Sequence, residues 1–167
     1  MTALTMIRVP LVAIAAFLFS TAHAEGISSL APKLLPPEQA FRLSARAVDP
    51  TTIEARFDVA EGYYLYRDKM HFSTAPVAAG EAILPPGTPK HDAFFGDVAT
   101  YRGEVVVRVP LVHAAAGEKV TLHADSQGCA DVGVCYPPNP QILTLTVPDA
   151  GAKPGPFVDA SRKGWFK

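Results

Sequence analysis

From Phe41 onward the apolar side chains recur at every second position, in short runs cut by Gly, Pro and Asp. That period belongs to antiparallel strands with one buried and one wet face, not to helices. Ile53, Ala55, Phe57 and Val59 alternate with Thr52, Glu54, Arg56 and Asp58. Val105, Val107 and Val109 alternate in the same way with Glu104, Val106 and Arg108. Val120, Leu122 and Ala124, and then Leu143, Leu145 and Val147, complete the clearest runs. No window carries the spacing of an amphipathic helix. The 16 prolines, doubled at Pro36, Pro85 and Pro137, disfavour helices and supply edges and turns. The expected fold is therefore all-β, an immunoglobulin-like β-sandwich. A closed barrel is the alternative, because alternation alone does not fix the order of strands.

The two ends do not share this pattern. Residues 1–24 hold Arg8, an apolar run from Val9 to Phe19 and then Ala22-His23-Ala24, a small-x-small cleavage signal. Together these are read as a signal peptide; the run is much shorter than the roughly 20 residues a membrane-spanning helix needs. Residues 25–34 are read as a lead-in, 35–148 as the folded domain, and 149–167 as a flexible Gly/Pro/Ala-rich tail tipped by Trp165 and Phe166. Export places the chain in the periplasm of a Gram-negative cell.

Fifteen basic residues against 16 acidic ones, without a basic cluster, exclude nucleic acid as a partner, since that binding rests on neutralising phosphates. Cys129 and Cys135 both follow the signal peptide, and in an oxidising compartment they are expected to form one intrachain disulfide. The loop they close is so short that the bridge stabilises by only about 2 kcal/mol on a chain-entropy estimate. Stabilisation alone therefore explains it poorly, although spacing by itself leaves a plain structural bridge and a redox pair equally open. No metal site is expected, because His71, His91, His113 and His123 are scattered singly and none has zinc-type spacing to the cysteines. Ser/His/Asp sets, paired catalytic carboxylates and phosphate loops are not evident. Two aromatic clusters stand out. In Gly62-Tyr63-Tyr64-Leu65-Tyr66-Arg67 the alternation puts Tyr64 and Tyr66 on one face, either as sheet-edge packing or as a wall beside the thiols. In His91-Asp92-Ala93-Phe94-Phe95-Gly96-Asp97, adjacent phenylalanines suggest a core anchor or a lid.

Four stretches carry a resemblance. Pro36-Pro37-Glu38-Gln39-Ala40-Phe41, the tyrosine strand Gly62 to Arg67, the loop Asp92 to Gly96, and Gln127-Gly128-Cys129-Ala130-Asp131 with Cys135-Tyr136-Pro137-Pro138 resemble, in order, the N-terminal periplasmic domain of the DsbD thiol:disulfide interchange proteins. The resemblance covers roughly Leu35 to Val147 and implies an immunoglobulin-fold redox domain that passes reducing equivalents to thioredoxin-fold proteins. It implies that Cys135 is the nucleophile that forms a mixed disulfide and that Cys129 resolves it. It further implies that Phe94 caps the pair, that Tyr64 and Tyr66 flank the sulfurs, and that Asp92 is the acid beside them. Thiolate exchange depends on access, so a cap restricts attack to docked partners and guards the dithiol against oxidation. Two positions depart from the family pattern: Ala93 stands where a second acid is familiar, and Phe95 where a Tyr is.

The expected activity is that of a protein-disulfide reductase, a thiol:disulfide oxidoreductase in relay form that uses no cofactor and no metal. The expected partners are periplasmic thioredoxin-fold proteins, namely disulfide isomerases and cytochrome c maturation thioredoxins, with a separate membrane or thioredoxin-like electron donor. A monomer is expected. The rival reading is a non-catalytic immunoglobulin-like binding module with a structural disulfide, and a copper-handling domain using both cysteines with a Met or His is a third.

Overall fold

The computed structural model describes residues 33–160. The signal peptide read at 1–24, most of the lead-in at 25–34, and Trp165 and Phe166 lie outside the described residues. A single helical turn, Pro37–Ala40, opens the domain. Pro37 has the backbone angle a first helical turn requires, and Pro36 O accepts the N–H groups of Gln39 and Ala40 at 2.9 Å. Twelve strands follow: β1 (Phe41–Asp49), β2 (Thr52–Val59), β3 (Tyr63–Tyr66), β4 (His71–Ala75), β5 (Thr88–Asp92), β6 (Gly96–Tyr101), β7 (Gly103–Pro110), β8 (Lys119–Ser126), β9 (Gly128–Ala130), β10 (Val134–Cys135), β11 (Asn139–Thr146) and β12 (Val158–Asp159). No described helix is long and apolar enough to cross a membrane.

The strands form an immunoglobulin-like sandwich. One layer has the order β12-β1-β2-β7, all antiparallel. The other is split into β11-β8-β4 and β10-β9-β3-β6-β5. The split follows the chain: β3 runs into β4, β8 into β9 and β10 into β11, so neighbouring strands stay neighbours across the break. The break falls at the 3-10 turn Arg67–Lys69 on one side and at Gln127 on the other, where Gln127 O accepts the Tyr66 N–H at 2.9 Å. The β10-β9-β3-β6-β5 part carries a small cluster of its own, Tyr64, Tyr66 and Cys129, separate from the main core.

The alternating runs of the sequence supply the core. Ile53, Ala55, Phe57 and Val59 of β2, Val105, Val107 and Val109 of β7, Val120, Leu122 and Ala124 of β8, Leu143 and Leu145 of β11, and Val147 just after it are all buried in one cluster. Burying each of the larger of these side chains stabilises by roughly 1.5–3 kcal/mol against leaving it in water, so the sandwich does not depend on a bridge. The face of β2 expected to be wet is only half-covered. Arg46 pairs with Glu54 at 3.0 Å, and the guanidinium groups of Arg46 and Arg56 lie 4.5 and 4.2 Å from the Phe157 ring centroid. Phe157 belongs to the stretch expected to be a flexible tail. In fact Gly155 N donates to Ala47 O at 3.0 Å, and Val158 and Asp159 pair with Ala45 and Ser44, so this part of the tail is an edge strand on β1. Sequence alternation could not show this, because the strand holds only two residues and its anchor is a ring between two cations.

Candidate redox site

Strand alternation gives β3 two unlike faces. Tyr63 and Leu65 enter the main core, where Tyr63 packs edge-on against Phe41 with ring centroids 6.0 Å apart. Tyr64 and Tyr66 take the other face and form a separate small cluster with Cys129. Register completes the row, since Tyr64 lies opposite Cys129 on β9 and Cys129 lies opposite Cys135 on β10. Directly opposed antiparallel positions bring side chains together. The two sulfurs are bonded, with the Cα atoms 3.9 Å apart. Cys129 is fully buried and Cys135 is exposed.

Two glycines make this hairpin possible for different reasons. Gly133 turns the chain between β9 and β10 at φ 87°, a left-handed conformation that side chains disfavour. Gly128 instead permits close approach. A Cβ there would meet the carbonyl oxygen of Tyr64 and stand 2.7 Å from the Phe41 ring. The hairpin is further tied by Asp131 N to Gly62 O at 2.8 Å and by Tyr136 N to Gly128 O at 2.9 Å.

Behind the sulfurs sits Asp92, buried at the end of β5. Its Oδ2 accepts from the Tyr66 hydroxyl at 2.7 Å and the Tyr64 hydroxyl at 3.2 Å, while Oδ1 accepts from the N–H groups of Phe94 at 2.9 Å and Phe95 at 3.2 Å. These donors, the Tyr66 hydroxyl foremost, hold the carboxyl down at a pKa of about 2 despite its burial. Tyr66 is pushed above the ordinary tyrosine range, first by burial and then by its bond to Asp92. Its hydroxyl also lies 3.1 Å from Cys129 Sγ and 4.0 Å from Cys135 Sγ. A phenol has one proton, and with that proton directed to Asp92 it offers the sulfurs a lone pair.

Cys129, Cys135, Tyr64, Tyr66 and Asp92 thus meet in one hydrogen-bonded group. Phe94 joins it only through its backbone N–H, and its side chain is 77% exposed. The ring that packs on the site is that of Phe95, edge-on to Tyr66 at 5.1 Å between centroids. His91 pairs with Asp97 at 2.7 Å, and among the described residues no group of three or more His, Cys, Asp or Glu is arranged to hold a metal.

Sequence reasoning passed over the basic residues around this group. Lys90 Nζ lies 4.9 Å from the Tyr64 ring centroid and 4.0 Å from Asp92 Oδ2, and Lys69 Nζ lies 4.8 Å from the Phe95 centroid. Arg102 stands 5.2 Å from the Tyr64 centroid and grips Asp131 with two bonds of 3.0 and 2.6 Å. The clue available was the alternation of Lys90 with Asp92 on one strand, which puts both on one face.

Known proteins give a consistent picture. The family model for the N-terminal region of the thiol:disulfide interchange protein DsbD matches residues 31–147. The DsbD of Ralstonia nicotianae is 45% identical over 129 residues, which are 75% of this chain and 21% of that protein. DsbD 1 of Pseudomonas aeruginosa is 39% identical over 132 residues, 78% of this chain and 22% of that one. The chain therefore spans about a fifth of the length of the curated relatives it matches. Among solved structures, the reduced DsbD N-terminal domain of Neisseria meningitidis superposes with a TM-score of 0.62 at 40% identity, covering 68% of this chain and 90% of that one. The complex between the DsbD and PilB N-terminal domains of the same organism gives 0.57 at 38% identity, covering 68% of this chain and 88% of the matched one.

Proposed function

This chain belongs to the family of DsbD N-terminal domains, and from that premise we propose that it is a periplasmic thiol:disulfide relay. Its Cys129/Cys135 pair receives electrons from a dithiol donor and passes them to oxidised thioredoxin-fold partners. The observation that carries the reading is a disulfide between one exposed and one buried cysteine on adjacent strands, with the Tyr66 hydroxyl 3.1 Å from the buried sulfur and itself bonded to the Asp92 carboxylate.

The roles follow from access. The exposed Cys135, as thiolate, attacks a sulfur of the partner's disulfide, and the other partner sulfur leaves as thiolate and takes a proton. Cys129, deprotonated in turn, attacks Cys135 Sγ and expels the second partner thiolate. Two electrons have then moved to the partner, which holds a dithiol, and the domain holds the Cys129–Cys135 disulfide. A dithiol donor reverses these steps on the domain. Tyr66, held by Asp92, stays 3.1 Å from the Cys129 sulfur and fixes the resolving position behind the exposed Cys135. The Asp92–Gly96 loop, which rests the Phe95 ring on Tyr66 and leaves the Phe94 ring in solvent, is the element a docking partner meets and moves. Disulfide isomerases and cytochrome c maturation thioredoxins are the partner classes the family suggests, and the complex with the PilB N-terminal domain shows that a related domain engages a second protein. Residues 1–24, read as a signal peptide, support the periplasmic setting.

The test is the redox equilibrium of the protein against thioredoxin or glutathione, with free thiols alkylated and counted by mass. Ready exchange at a potential between those of thioredoxin and the disulfide isomerases is expected. A pair that stays oxidised under strongly reducing native conditions overturns the relay and leaves a structural bridge.

A further inference from the structure

The charges around the sulfurs are layered. The carboxylate of Asp92 is inside, buried, and two hydroxyls and two backbone N–H groups donate to it. The ammonium groups are outside: Lys90 rests on Tyr64 and Lys69 on Phe95, the rings that line the group holding Cys129. Asp131, which is exposed, is already engaged by both arms of Arg102, and Asp97 by His91. Among the described residues no carboxylate stands within 4.0 Å of Lys69 Nζ. Lys90 also lies 4.0 Å from Asp92 Oδ2. Tyr64 and Phe95, the rings under the two ammonium groups, both pack edge-on against Tyr66, whose hydroxyl is 3.1 and 4.0 Å from the two sulfurs. Both positive charges thus stand on the rings next to the disulfide.

We propose that Lys69 and Lys90 form a cationic collar that selects the disulfide this domain reduces, favouring partners with carboxylates beside the reactive sulfur. The inference rests on the thiol-exchange reading and adds to it the charge class of the substrate. The physics is elementary. Unlike charges approaching to several ångströms at a wet surface attract by a fraction of a kcal/mol, and salt screens that attraction over about 10 Å at 0.1 M. The collar thus acts on encounter rates and partner choice, not on the sulfur chemistry itself.

Three disulfides of one skeleton isolate the effect: anionic dithiodipropionate, neutral bis(2-hydroxyethyl) disulfide and cationic cystamine. The protein is first reduced and freed of reductant. Each probe then takes up two electrons from Cys129 and Cys135 and is released as two thiols, while the pair closes to the disulfide. Rates are read as the appearance of small thiol, and each is divided by the rate with the neutral probe, which removes changes in thiolate fraction.

The anionic-to-cationic rate ratio at low salt is expected to exceed its value in about 0.5 M salt, where the charges are screened, by on the order of threefold per lysine. Because the probes differ in leaving-thiol pKa, the change in the ratio is the readout. The same drop is expected at low salt in the Lys69→Gln/Lys90→Gln double variant. Glutamine keeps most of the stem over the ring while removing the charge. A ratio that neither salt nor the double variant lowers overturns the collar and leaves the relay standing. Failure of all three probes to react overturns the relay and the collar with it.

Discussion

Single residues decide the chemistry here, and Asp92 is the clearest case. Its carboxyl titrates near 2 against an ordinary value of 3.8, because hydroxyl and amide donors are built around the ionised form. A carboxyl lowered by folding stabilises the fold wherever it is ionised. That contribution is complete above its unfolded value and is lost as pH falls through about 2, and it corresponds to about 2 kcal/mol. Denaturant unfolding of the wild type should therefore lose about that much between pH 5 and pH 2 beyond what Asp92→Asn loses; parallel curves would mean the carboxylate is not held as described. The same substitution removes the charge behind Tyr66, so alkylation of the reduced pair near neutral pH should speed up. Gly128 shows a different kind of constraint. Gly128→Ala places a methyl against the Tyr64 carbonyl and the Phe41 ring, and overpacking of this kind costs roughly 1–3 kcal/mol. Chemical denaturation reads it directly, and an unchanged midpoint would show that β9 can shift away from the Tyr64 carbonyl and the Phe41 ring at no cost.

At the scale of strands, legibility followed the physics of burial. β2, β7, β8 and β11 each bury one face, so their apolar residues alternate and were visible in the sequence. β5, β9, β10 and β12 do not. β5 is mostly exposed, all three residues of β9 are buried, and β10 and β12 have two exposed residues each, so no period marks them. The Tyr64/Tyr66 face was readable from alternation alone. That Cys129 would stand opposite Tyr64, or that Phe95 and not Phe94 would rest on Tyr66, depends on register and loop geometry, which a linear pattern does not encode. The β9–β10 hairpin owes part of its hold to the strand junction beside it, through the two-bonded Arg102–Asp131 pair. Arg102 is raised and Asp131 lowered from their ordinary values, each chiefly by that hydrogen bond. Both groups are partly solvent-exposed, which limits the pair to about 1 kcal/mol. A double-mutant cycle of Arg102→Ala and Asp131→Ala should return a coupling of that size, together with faster hydrogen exchange in β9 and β10. Additive effects would mean that the pair does not tie the hairpin down.

For the molecule as a whole, the relay proposed above requires a domain that opens and closes its disulfide without coming apart. The position of the bridge meets that requirement. Cys129 packs with Tyr64 and Tyr66 in a cluster of its own, on the far face of β3 from the continuous core between the two layers. That core includes Phe57, Ile53, Val107 and Leu122, all fully buried, and none of them belongs to the cysteine cluster. The bridge closes a loop between positions only six apart, so it restricts the unfolded chain little and stabilises by about 2 kcal/mol. Reduction should therefore lower the stability of the protein by about that amount and no more. The Cys129→Ala/Cys135→Ala variant removes the bridge free of thiol chemistry and, because it also deletes the buried Cys129 sulfur, sets an upper bound on that quantity. In both, far-UV circular dichroism and the hydrogen-exchange protection of β1, β2, β7 and β8 should remain those of the oxidised protein, with loosening confined to β9, β10 and the Asp92 loop. A loss of several kcal/mol, or faster exchange across β1 and β2, would make the bridge a staple of the core. A staple of that kind cannot be opened at every turnover, so the relay would then have to be abandoned on grounds of stability alone.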